Sequence, residues 1–198
     1  MSNAVMKSPV LASPLADVAG LGQRVLRVDG RTCMLSEIPF EQMINLRGTA
    51  SDPAFAQAVL AGTNLVLPTA VNSVSLNAQR QLLCLGPDEW LLKTQDGQGD
   101  ALEAALTERL AGQHVSVVQV GDGSTTFALQ GPASADLLAR GCPLDLHARS
   151  FGAGAVAQSH VAKASVTLLC LAPGQHYELT LRRSFAVYLY QWLCAAGA

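Results

Sequence analysis

The sequence has little charge. Asp, Glu, Lys and Arg make up 14% of its 198 residues, against roughly 25% in an ordinary soluble domain. The 13 basic and 15 acidic residues are scattered and leave a net charge of −2. The electrostatic footprint that a phosphate backbone needs is therefore missing, and nucleic acid is not an expected partner. No apolar run approaches the roughly 18 residues of a membrane span. The first residues also lack the basic-then-apolar order of a signal peptide, so the expectation is a cytoplasmic chain without a membrane partner. Cysteine is limited to Cys33, Cys84, Cys142, Cys170 and Cys194, an odd number with no C-x-x-C pair, which argues against both a disulfide framework and a zinc site. His114, His147, His160 and His176 form no H-x-x-x-H pair, and no G-x-G-x-x-G follows a strand, so neither metal nor dinucleotide binding has a sequence basis.

What the chain has is apolar substance, 49% of its residues. At this length a folded chain buries roughly 70% of the surface its unfolded form exposes, so a core forms without staples. The low charge leaves two readings open: the base composition of a genome, which 30 Ala and 10 Arg to 3 Lys would reflect, or a surface covered by partners.

Residues 1–22 carry Ser8-Pro9, Ser13-Pro14 and Gly20-Leu-Gly22 with little periodicity, and read as an irregular arm on the surface or on a partner. Four helices follow from their ends. The first starts at Asp52-Pro53 and stops at Gly62. The second runs from a capping Asp100, with Glu103 three residues on, to Gly112. The third follows Gly131-Pro132 and ends at Gly141, and the fourth starts at Ser184 with a stripe of Phe185, Tyr188, Leu189, Trp192 and Leu193. Ten short β-rich segments lie between them, among them Thr32–Ile38, Gln42–Leu46, Trp90–Lys93 and Tyr177–Leu181, several with the alternation of antiparallel strands. Leu82-Leu-Cys-Leu-Gly-Pro87 recurs as Leu168-Leu-Cys-Leu-Ala-Pro173, with the same order of elements around each copy. The expected fold is α+β, with two pseudo-repeated ββαβββα halves, residues 23–112 and 113–198, whose antiparallel sheets pack against helices.

The residue patterns supply no catalytic constellation. Asp145-Leu-His147 places an acid and an imidazole on one side of a strand, yet no nucleophile accompanies them, and a polar turn after Pro143 explains them. Asp88 and Glu89 are neighbours on an extended backbone and point apart. Gly121-Asp-Gly-Ser124 lacks the helix and lysine of a phosphate loop. Cys84 and Cys170 sit in apolar runs as small hydrophobes, and Cys142, in a loop setting before Pro143, has no activating neighbour.

Several motifs nonetheless occur together: Ile44-Asn-Leu-Arg-Gly48, Leu85-Gly-Pro-Asp-Glu-Trp-Leu-Leu92, Leu129-Gln-Gly-Pro132, Gly141-Cys-Pro-Leu-Asp-Leu-His147, Phe151, and Arg183-Ser184 before a terminal Tyr-Leu-Tyr-Gln-Trp-Leu helix. In this combination the chain, over about residues 9 to 196, resembles the gamma subunit of heterotetrameric sarcosine oxidase, a relative of the folate-binding domains of aminomethyltransferases. The resemblance implies a folate-binding-domain-like fold and a non-catalytic assembly role. The complex it implies oxidatively demethylates sarcosine to glycine, reducing oxygen to hydrogen peroxide. The carbon leaves as formaldehyde or as methylene-tetrahydrofolate. FAD, FMN and NAD, with tetrahydrofolate as acceptor, are expected in partner subunits and none in this chain; the partners implied are the alpha, beta and delta subunits. Arg47, Trp90, Asp145, His147 and Phe151 are then expected as scaffold or interface residues. The alternatives are a free-standing folate-binding one-carbon transferase and a self-associating domain without ligand.

Overall fold

A computed structural model describes residues 12–18, 22–95 and 97–198. In chain order the elements are β1 (Arg24–Val28), β2 (Arg31–Ile38), β3 (Gln42–Arg47), α1 (Pro53–Thr63), β4 (Val74–Leu76), β5 (Arg80–Gly86), β6 (Glu89–Thr94), α2 (Gly99–Arg109), β7 (Ser116–Gln119), β8 (Ser124–Gln130), α3 (Ser134–Ala139), β9 (Val156–Val161), β10 (Ala164–Ala172), β11 (His176–Arg182) and α4 (Ala186–Ala196). The strand absent from the sequence reading is β1. Its Arg-Val-Leu-Arg-Val alternation turns Leu26 and Val28 inward, and Asp29-Gly30, with φ of 47° and 79°, makes the tight turn that a two-residue hairpin requires.

The strands form two antiparallel sheets, one of six strands ordered β1-β2-β8-β11-β10-β9 and one of five ordered β4-β5-β6-β3-β7. The sheets do not divide at residue 112. β2 pairs with β8 of the later half, and β7 pairs with β3 of the earlier one, so each half places its first pseudo-equivalent strand in the other's sheet. The repeated hexapeptides occupy equivalent positions. Cys84 stands opposite Trp90 and Cys170 opposite Tyr177, each followed by a bulge. Asn72 N–H donates to the Cys84 carbonyl and Gly154 N–H to that of Cys170, at 2.9 and 2.8 Å. Between these two sites Ser73 and Ala155 bridge the sheets directly.

Side-chain alternation makes the layers. On one face of the five-stranded sheet Ile44, Leu46, Leu82 and Trp90 pack against Phe55 and Val59 of α1 and Leu102 and Leu106 of α2. On one face of the six-stranded sheet Leu35, Phe127, Leu129 and Leu179 meet Leu137 and Leu138 of α3 and Leu189 and Leu193 of α4. The opposite faces meet through Met43, Leu83, Leu91, Val156 and Leu169. Helices thus lie outside and the sheets face each other, each strand being apolar on both sides only where the sheets touch.

The Asp52 carboxylate caps α1 by accepting the Ala54 N–H at 2.8 Å, an interaction worth about 1 kcal/mol. Asp100 does not cap α2. The helix starts a residue earlier, at Gly99, and the Asp100 carboxylate accepts instead from the Gln119 side chain at 2.6 Å. The stripe of α4 is split: Leu189 and Leu193 are buried, whereas Phe185 and Tyr188 are exposed. Of the expected arm, residues 1–11 and 19–21 lie outside the described residues. Residues 12–18 form turns whose Leu15 enters the core, and Arg183 holds them by donating to the Ala12 carbonyl at 2.7 Å. Among the described residues no helix is long and apolar enough to cross a membrane.

Candidate functional site

The chemically distinctive place in the molecule lies between the sheets. In β6, Trp90 and Leu92 face the helices, so Leu91 and Lys93 face the other sheet. Lys93 is 1% exposed. Its Nζ stands 3.0 Å from Glu41 Oε2, on the turn between β2 and β3, and 3.0 Å from Glu178 Oε2 on β11. The third ammonium proton goes to Gln81 Oε1 at 3.3 Å. Both carboxylates have further donors: the Thr126 hydroxyl donates to Glu41 at 2.6 Å, and the Gln81 amide to Glu178 at 3.2 Å. Burial alone would push the Lys93 ammonium down. The two carboxylates outweigh it and hold the group above its ordinary value. A protonated lysine with three engaged donors offers no lone pair to a substrate, so this cluster is an ion-pair clasp between sheets and not a nucleophile or base.

A cavity of about 340 Å³ opens over the clasp, bordered by Gln79, Arg80 and Gln95. The pseudo-repeat places a second cleft opposite, of about 590 Å³. Counting from Trp90 and Tyr177, Thr180 replaces Lys93 and Arg182 replaces Gln95 there. One wall carries Thr167, Thr180 and Gln158, the other Met43, Leu91 and Val120. No group of three or more His, Cys, Asp or Glu side chains among the described residues is placed to hold a metal ion. The Cys33, Cys84 and Cys170 thiols are pushed up by burial, which disfavours the reactive thiolate.

The five residues singled out in the sequence separate into two places. Arg47, exposed at the end of β3, pairs with Glu89 at 2.9 Å and Asp88 at 3.4 Å. Asp145 and His147 are exposed in the loop between α3 and β9. Asp145 accepts from the Ser150 hydroxyl at 2.6 Å and the His147 main-chain N–H at 3.0 Å, and these donors hold its carboxyl below the usual range. The acid therefore shapes the turn and does not orient the imidazole, whose Nδ1 accepts from Arg149 N–H at 3.3 Å.

Trp90 and Phe151, expected as scaffold or interface residues, are both buried within this chain. Trp90 is 0% exposed, its indole N–H donating to the Pro68 carbonyl at 2.8 Å and its ring lying 5.4 Å from that of Phe55. Phe151 is buried and stacks 6.4 Å from Tyr177. Large rings on inward positions gain more from the core than from the surface. Sequence reasoning missed Glu41, Lys93 and Glu178. The signal for Lys93 is a charge that directly follows the apolar run Trp90-Leu91-Leu92 within one strand.

Comparison with known proteins places this architecture. The sarcosine oxidase, gamma subunit family matches residues 47–198. The sarcosine oxidase subunit gamma of Corynebacterium sp. (strain U-96) is 32% identical, the match covering 93% of this chain and 88% of that one. Its counterpart from Arthrobacter sp. is 31% identical over 98% and 91%. A chain of the heterotetrameric sarcosine oxidase from Corynebacterium sp. U-96, solved in complex with pyrrole 2-carboxylate, superposes with a TM-score of 0.84 at 30% identity, covering 93% of each chain. The aminomethyltransferase T of the Bartonella henselae glycine cleavage system shares the fold alone, with a TM-score of 0.57 at 19% identity over 80% of this chain and 44% of that one. The family match over residues 47–198 and relatives at 30% identity or more along most of the chain agree, and the protein belongs to the sarcosine oxidase, gamma subunit family.

Proposed function

We propose that this chain is the non-catalytic gamma subunit of a cytoplasmic heterotetrameric sarcosine oxidase, holding the assembly together while alpha and beta subunits carry FAD, FMN and NAD and a delta subunit completes the complex. In that complex sarcosine is oxidised to glycine and oxygen reduced to hydrogen peroxide, the one-carbon unit leaving as formaldehyde or passing to tetrahydrofolate. The observation that carries the reading is the superposition with a chain of the Corynebacterium heterotetramer along 93% of both chains. The chemistry of the inter-sheet clasp supports it, because Lys93, Glu41 and Glu178 answer one another and leave a rigid scaffold. So do the exposed apolar side chains Val25, Phe40 and Val66, which are suited to burial against other chains.

The test is a tagged pull-down. The chain is co-expressed with candidate large flavin-binding subunits from the same source, and sarcosine-dependent oxygen uptake is measured in the eluate. A yellow, active eluate is expected. A colourless chain, with partners fully active in the flow-through, contradicts the proposal.

A further inference from the structure

Alternation on the six-stranded sheet builds a polar wall in the 590 Å³ cleft. Val166 and Leu168 of β10 and Leu179 and Leu181 of β11 pack toward the helices, so Ser165, Thr167, Thr180 and Arg182 face the other sheet. Strand register sets this wall in two rows. Gln158, Thr167 and Thr180 stand side by side across β9, β10 and β11, with Thr126 of β8 next in line. One step nearer solvent, Ser165 stands opposite His160, and Arg182 opposite Ser124. The facing sheet supplies an apolar wall of Met43, Leu91 and Val120, the first two 1% and 7% exposed. The Gln158 amide closes one end by donating across the sheets to the Leu85 carbonyl at 3.1 Å, while Ser165, His160 and Arg182 are exposed at the mouth.

The pseudo-repeat makes the two clefts chemical opposites. Where the first is filled by the Lys93 ammonium and its carboxylates, the second keeps a threonine, and no Asp or Glu lines it. The Glu41 carboxylate beyond Thr126 is already taken by that hydroxyl and by Lys93. Asp122, two residues before Ser124, lines a separate cavity with Arg183. Arg182 is in no ion pair among the described residues, and its guanidinium lies over Gly123, where a Cβ would meet Nη1 at 3.2 Å. We propose that this cleft binds a small organic monocarboxylate. Its apolar body lies between Thr167 and the Met43, Leu91 and Val120 wall, and its carboxylate accepts from Arg182 and the Ser165 hydroxyl at the mouth. The volume is that of a small-molecule site, and a guanidinium fork matches a carboxylate. A ring rich in N–H donors finds no acid there to pair with. The site lies wholly within this chain and does not rest on the assembly reading.

The probe is naphthoate, with the neutral naphthamide as its isostere, titrated into the full chain and followed by ligand-observed NMR. Saturable naphthoate binding is expected, with naphthamide weaker by about tenfold, the worth of one charge-assisted hydrogen bond. R182Q removes the charge from an exposed position and is expected to weaken naphthoate by about the same factor. T167W fills the cleft from a half-buried strand position and is expected to abolish binding, whereas R24Q, an exposed arginine on β1, leaves it unchanged. Thermal unfolding of each variant confirms that the fold is kept. Absence of saturable naphthoate binding to the wild-type chain overturns the proposal. So does binding that naphthamide matches, that R182Q or T167W leaves unchanged, or that R24Q weakens as much as R182Q, since each places the probe outside the cleft or denies the carboxylate its role.

Discussion

At the scale of single residues, charges stand in unexpected places. Lys93 sits where alternation calls for an apolar side chain, with two carboxylates around it. Breaking such a group by removing one partner typically costs about 3–5 kcal/mol, whereas replacing all of it with neutral residues costs far less. K93M is thus expected to lower the urea midpoint sharply, and K93M/E41Q/E178Q to recover most of the loss; equal midpoints for the two variants would contradict the clasp. Because the Lys93 value is raised in the fold, its contribution is present below the ordinary lysine range and is lost as pH climbs through the folded value. His176 shows the reverse. Burial pushes its imidazole down, and its Nε2 faces the Gln130 amide nitrogen at 3.2 Å; an N–H donor there requires an unprotonated ring nitrogen. The stabilisation is complete above about pH 6.5 and is lost as pH falls through the folded value. Unfolding free energy of H176Q, followed from pH 7.5 to 5, is expected to fall less steeply than that of wild type.

At the scale of elements much was legible, because most strands and helices announce themselves locally. Asp52-Pro53 opened α1 as read, and Gly131-Pro132 preceded α3. The repeated Leu-Leu-Cys-Leu segments occupy equivalent strands with equivalent bulges. The misses have physical causes. β1 has no counterpart among the β-rich segments read from the sequence, although Asp29-Gly30 is a hairpin signature. The exchange of β2 and β7 between sheets is a pairing over long sequence separation, which no local pattern encodes. Motif membership says nothing about which face of a strand or loop a ring takes, so the sequence leaves Trp90 and Phe151 open between scaffold and interface. One element-level device is testable. Gly131, at the end of β8, has φ of +128°, and a Cβ there would lie 2.7 Å from the Thr32 carbonyl oxygen, at the junction of the exchanged β2. Held strain of this kind costs about 1–3 kcal/mol, so G131A is expected to destabilise the protein measurably. G174A, at positive φ but with nothing within 4 Å, serves as the comparison and is expected to cost less; the opposite ranking would contradict the close approach.

At the scale of the whole molecule, the low charge and the exposed Val25, Phe40, Val66 and Phe185 are what the proposed assembly role asks of a surface that partners cover. Alone, it is expected to self-associate at high concentration by light scattering, and a monodisperse monomer would count against a surface made for partners. The interlocked sheets tie the two halves of the chain together, since neither sheet is complete without a strand from the other half. The most direct test of the assembly role is native mass spectrometry of the co-expressed complex, combined with sarcosine-dependent oxygen uptake before and after this chain is stripped off. A four-subunit mass that contains this chain is expected, with its removal dispersing the complex and its activity. A stable, fully active flavoprotein of unchanged subunit contacts after this chain has left would contradict it.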